Sequence, residues 1–113
     1  MSAITTHVLD TSTGRPGRQI AVTLEQIGAD GPISLGAGQT DDDGRCRGLV
    51  GEGTLFVTGT YRITFEVGQY FERLGVECFF PQVSIVFEVK DADQHYHVPL
   101  LVSPFGYSTY RGS

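Results

Sequence analysis

Four stretches of the chain alternate apolar and polar residues with period two, and the only run at helical spacing is short. Ile20, Val22 and Leu24 oppose Gln19, Thr23 and Glu25, and Tyr61, Ile63, Phe65 and Val67 oppose Arg62, Thr64 and Glu66. Val83, Ile85, Phe87 and Val89 oppose Gln82, Ser84 and Glu88, with Val86 breaking the rule. Tyr96, Val98, Leu100 and Val102 oppose His95, His97, Pro99 and Leu101. Successive side chains of a strand point to opposite faces, so each stretch reads as a strand with one face on a core. The 15 glycines and 5 prolines cut the chain into short segments, the rhythm of an all-β sandwich or barrel.

Thr5–Leu9, Ile33–Ala37, Leu55–Val57 and Tyr107–Arg111 read as further short strands. Gln69–Leu74 places Tyr70, Phe71 and Leu74 at helical spacing and is the one candidate helix. Asp41-Asp42-Asp43-Gly44 and Asp91-Ala92-Asp93 are acidic turns, because Asp caps its own backbone there. About eight strands with one short helix make two packed antiparallel sheets. Residues 1–113 form one expected domain, without linker or repeat.

A net charge of −5 with no Lys/Arg cluster argues against nucleic acid or an anionic membrane as partner. No apolar run approaches the ~18 residues of a membrane span, and no basic-then-apolar leader opens the chain, so a cytoplasmic location is expected. Cys46 and Cys78 form neither a disulfide framework nor a structural zinc set. Charged residues are 19% of the chain, below the roughly 25% of ordinary domains, which points to surface covered in an oligomer. The second face of 95–102 reads His, His, Pro, Leu. It is either covered by another subunit, the lining of a pocket, or a mildly apolar exposed strand.

The chemistry-bearing candidates are few. His95 and His97 share one strand face and are open to three readings: ordinary surface histidines, a metal site lacking an evident third ligand, or acid–base catalysts. Arg45 ends Asp-Asp-Asp-Gly-Arg. It is either a turn arginine paired with those aspartates or a guanidinium fork for a carbonyl or anionic oxygen. The terminal Tyr110-Arg111-Gly112-Ser113 alone reads as a frayed end. There is no serine-hydrolase elbow and no phosphate loop.

Five stretches taken in order resemble the transthyretin-related 5-hydroxyisourate hydrolases. They are His7-Val8-Leu9-Asp10 with Thr13-Gly14-Arg15-Pro16, Thr40 to Arg45, Phe79-Phe80-Pro81, His95 to Leu101, and Ser103 to Ser113. The terminal Tyr-Arg-Gly-Ser separates these hydrolases from hormone-carrying transthyretins. His7, Arg45 and His97 stand where the hydrolases carry histidine, arginine and histidine and the carriers do not. Phe105 replaces a common tyrosine, and His95 is a supporting or exposed residue.

The resemblance implies a transthyretin-like sandwich of two four-stranded antiparallel sheets, assembled as a homotetramer around a channel lined by the outward faces of the first and last strands. It also implies hydrolysis of 5-hydroxyisourate in urate breakdown without metal or cofactor. On this reading His7 and His97 activate a water, Arg45 stabilises the oxyanion, and Tyr110, Arg111 and Ser113 bind the substrate. Two further readings are a carrier of small aromatic ligands and a zinc hydrolase built on the histidines.

Overall fold

A computed structural model describes residues 3–51 and 53–113. In chain order its strands are β1 Ile4–Asp10, β2 Arg15–Pro16, β3 Ala21–Gly28, β4 Gly31–Gln39, β5 Arg45–Cys46 and β6 Gly59–Phe65. The helix α1, Val67–Arg73, precedes β7 Val83–Val89, β8 Tyr96–Ser103 and β9 Gly106–Thr109. One sheet runs β4-β3-β6-β7, all antiparallel. The other runs β2-β1-β8-β9, with β5 beside β2 on the same edge of β1. The inward faces meet in a core that includes Val8, Val22, Leu24, Ile63, Phe65 and Leu100. These are the residues that alternation assigns inward, as apolar burial requires.

The transthyretin-like two-sheet architecture with one short helix is therefore present, and four details differ from the sequence reading. First, β1 and β8 pair in parallel, from Ile4↔Tyr96 to Asp10↔Val102. Their connection contains the whole second sheet, so no hairpin forces them antiparallel. Second, β2 and β5 are two-residue strands, too short to show any period, and they raise the first sheet to five strands. Third, Leu55–Val57 is not a strand; Leu55 is exposed while Phe56 packs against Tyr61. Fourth, the helix is shifted toward the N-terminus and buries Val67, Tyr70 and Phe71. Leu74 is its exposed cap, because Gly75 leaves with φ of 70°.

The far end of β1 is anchored through a buried carboxylate. Asp10 accepts from Ser12 N at 2.9 Å and from the Tyr70 hydroxyl at 2.8 Å. Burial, and then the bond to Asp10, push the Tyr70 hydroxyl pKa up to about 12. It remains a donor at neutral pH and ties α1 to β1.

Candidate functional site

The site grows from the outward face of β1. The inward side chains Ile4, Thr6, Val8 and Asp10 are buried, and Thr5, His7 and Leu9 alternate on the other side, half-buried. Parallel pairing sets Thr5 opposite His97 and His7 opposite Pro99. On the other edge of β1, β5 sets Arg45 opposite His7.

The acidic turn delivers that arginine. Asp41 Oδ1 accepts from the backbone N–H groups of Asp43 and Arg45, each at 2.9 Å. The Arg45 N–H contributes most to holding the Asp41 pKa below its ordinary value. Gly44 turns at φ of 78°, and a Cβ there would sit 2.4 Å from the Val8 carbonyl, so only glycine lets the turn lie against β1. Asp41 thus binds the backbone of Arg45, not its guanidinium. Among the described residues the ion pairs are Arg18–Asp42 and Arg62–Glu25, and Arg45 belongs to neither.

A cleft of about 250 Å³ is lined by Thr5, Thr6, Arg45, Arg47, His95, His97 and Ser113. Desolvation, and then the nearby Arg45, His7 and His95, hold the His97 pKa below the usual histidine value, against an opposing hydrogen bond from the ring to the Thr5 backbone. Near neutral pH His97 is therefore an uncharged base. Its Nδ1 lies 2.9 Å from Thr5 Oγ1, leaving Nε2 as the nitrogen without that partner. His7 is not part of the lining. Its Nε2 donates to the Asp43 carbonyl at 2.9 Å, which leaves Nδ1 as the lone-pair nitrogen of the neutral ring.

The tail reaches the cleft in a defined register. After Leu100↔Thr109, the next contact of the ladder is the isolated bridge His97↔Gly112, with Gly112 N–H donating to the His97 carbonyl at 2.8 Å. The gap lies opposite Pro99, which has no N–H to offer. Tyr110 and Arg111 therefore leave the ladder. They line a second cleft of about 330 Å³ with Phe87, Tyr96 and Val98, and His97 borders both clefts. The Arg111 guanidinium lies 4.5 Å over the Tyr96 ring and donates to Gln94 Oε1 at 2.8 Å.

Of the expected site residues, one chain brings Arg45, His97 and Ser113 into the first cleft and sets His7 next to Arg45. Tyr110 and Arg111 stand on the far side of His97. Thr5 and Arg47 line the first cleft and escaped the sequence reading. Arg47 could have been found, since it is two residues from Arg45 and so shares its side of an extended chain. Among the described residues no three His, Cys, Asp or Glu side chains converge as a metal site. No helix there is long and apolar enough to cross a membrane.

Comparison with known proteins bears on the family and the fold. The family model described as HIUase/Transthyretin family matches residues 4–112. The chain is 46% identical to 5-hydroxyisourate hydrolase 2 of Rhizobium meliloti, over 97% of this chain and 95% of that protein. It superposes on the structure of Klebsiella pneumoniae 5-hydroxyisourate hydrolase with a TM-score of 0.84 and 36% identity, covering 100% of this chain and 94% of that one. On transthyretin from Sparus aurata the TM-score is 0.90 at 29% identity, covering 99% and 97%.

Proposed function

The chain belongs to the HIUase/transthyretin family, and from that premise we propose that it hydrolyses 5-hydroxyisourate to 2-oxo-4-hydroxy-4-carboxy-5-ureidoimidazoline in purine catabolism. One observation carries the reading. A half-buried imidazole held below its ordinary pKa and a guanidinium without a carboxylate partner among the described residues share one small cleft. That is the pair a hydrolysis of a cyclic acyl–nitrogen bond needs, a base for water and a fixed cation for the oxyanion.

In this mechanism His97 Nε2 takes a proton from water as the water oxygen bonds to the ring carbonyl carbon. Arg45 stabilises the charge that passes to the carbonyl oxygen. The carbon–nitrogen bond then breaks, the oxyanion collapses to the carboxyl group, and the imidazolium returns its proton to the leaving nitrogen. His7 orients the water through Nδ1. Ser113 bounds the substrate, and Tyr110 and Arg111 close the tail over β8. Neutral imidazole supplies the base, so the scheme uses no metal or cofactor. In a cytoplasmic homotetramer, edge-joined dimers would face one another across the outward sides of β1 and β8.

The test is spectrophotometric. Urate oxidase generates 5-hydroxyisourate from urate, and its loss is followed against the unaided decay, with and without chelator. A large, chelator-insensitive acceleration supports the proposal, and acceleration lost to chelator moves the histidines to a metal. The likeness to Sparus aurata transthyretin favours one competing reading, a carrier of small aromatic ligands. Ligand binding by a folded protein that leaves the decay rate unchanged would select it.

A further inference from the structure

We infer that Thr5 is a positioning residue whose single hydroxyl proton ties the working state of His97 to the protonation of His95, an inference that rests on the function proposed above. Thr5 Oγ1 lies 2.9 Å from His97 Nδ1 and 3.0 Å from His95 Nε2. A hydroxyl has one proton to give, so two arrangements are open. When Thr5 donates to His95 Nε2, it accepts from His97 Nδ1–H, and the Nε2 of a neutral His97 carries a lone pair. When Thr5 donates to His97 Nδ1, neutral His97 carries its proton on Nε2 and cannot take one from water. Only the first arrangement makes a base.

His95 chooses between them. A neutral His95 with a bare Nε2 accepts from Thr5 and selects the working state. An imidazolium at His95 carries a proton on both nitrogens, donates to Thr5, and turns the hydroxyl toward His97 Nδ1. A proton taken up by exposed His95 therefore silences the base without reaching it. Among the described residues, the charged and titratable groups around this chain of bonds are Arg45 and Arg47 from the β5 side and His7 from β1. Arg45 and His7 both disfavour a positive charge at His97.

The motif His-x-His becomes intelligible on this reading. His95 lies just before β8 and His97 within it, two residues apart, and both rings reach the one Thr5 hydroxyl that the β1 register brings between them. Valine at position 5 has nearly the same shape and β propensity but cannot bridge the rings.

The test uses the full chain with ¹⁵N-labelled histidine and the variants Thr5→Val, Thr5→Ser and His95→Asn. Long-range ¹H–¹⁵N spectra report the His97 tautomer directly. At pH 7.5 the wild type should hold His97 protonated on Nδ1, Thr5→Val should shift it toward Nε2–H, and Thr5→Ser should restore it. In the hydrolysis assay Thr5→Val should lower kcat by about ten- to a hundredfold, part of the 10²–10⁴-fold that a general base supplies, with KM little moved. His95→Asn should reduce the limiting slope of the acid limb of log kcat against pH by one. A His97 tautomer unmoved in Thr5→Val, or an acid limb unchanged in His95→Asn, overturns the inference. If the wild type does not accelerate decay of 5-hydroxyisourate but Thr5→Val still moves the tautomer, the proposed function fails while the Thr5 linkage stands.

Discussion

Replacing Gly112 by alanine probes the site with one methyl group. A Cβ at that position would lie 2.5 Å from His97 Cδ2 and 3.2 Å from Pro99 Cγ, where ordinary contact begins at 3.4 Å. Two routes relieve the clash, and both injure the site. If the ring moves, it does so against the 2.9 Å bond from Nδ1 to Thr5. If the tail lifts, it loses the 2.8 Å bond from Gly112 N–H to the His97 carbonyl and carries Ser113 away from the cleft. The displacement needed is about 1 Å, and a misplacement of that size costs on the order of 10²-fold in rate. The stability cost is small, because one hydrogen bond at the chain end is worth about 1 kcal/mol. For a chain of this size that corresponds to a fall in Tm of about 5 °C. The assay pairs kcat/KM on 5-hydroxyisourate with a thermal melt. Gly106→Ala serves as control, since a Cβ there meets only Ser103 Oγ at 3.7 Å, and it should behave as wild type. A Gly112→Ala protein with kcat/KM within about twofold of wild type, well short of the factor expected from misplacement, would refute the argument that the tail fixes the His97 ring.

Three further outcomes follow from the same geometry. Arg45→Lys keeps the charge but loses the planar fork, so kcat should fall by on the order of 10²-fold with the fold intact; steady-state kinetics and circular dichroism check this. The depressed His97 pKa means that the unfolded chain binds more protons than the native one just below pH 6.5, so stability should rise with pH through that window. Urea denaturation at stepped pH should show that slope reduced in His97→Asn. Tyr70→Phe leaves the buried Asp10 carboxylate short of a donor, at a cost of about 1–3 kcal/mol, read as a lower urea midpoint with little change in kcat.

The sequence reading succeeded where a structural constraint repeats along the chain and failed where it is made once. Alternation located β3, β6, β7 and β8 because one burial rule acts on every second residue. It was silent on β2 and β5, whose two-residue ladders contain no repeat. It was also silent on direction, since a strand buries the same face whether its neighbour runs with it or against it, and β1–β8 is parallel. At the site, the residues alone offered His97 and Arg45 as candidates with open roles, and their roles, together with His7 and Ser113, came from the resemblance to a family. Thr5 was missed because a threonine in a strand is ordinary. Only the β1–β8 register puts its hydroxyl between two imidazoles.

The registers also explain why this site can be rigid while made of so few residues. β1 carries Thr5 and His7 two apart on one face, with β8 bringing His97 to one edge and β5 bringing Arg45 to the other. A slip of one residue in β1 would turn Thr5 and His7 into the core and the buried Asp10 outward. The bonds of Asp10 to Ser12 and Tyr70, at the far end of the same strand, oppose that slip. The tail follows the same logic with one interruption. Its register with β8 is unbroken in number from Thr109 to Gly112, but Pro99 cannot donate, so pairing lapses and resumes only at His97. That lapse frees Tyr110 and Arg111 from the ladder while Gly112 still meets the imidazole. A proline in a strand interior would ordinarily be a defect, and here it separates the part of the tail that grips the ring from the part that grips Tyr96.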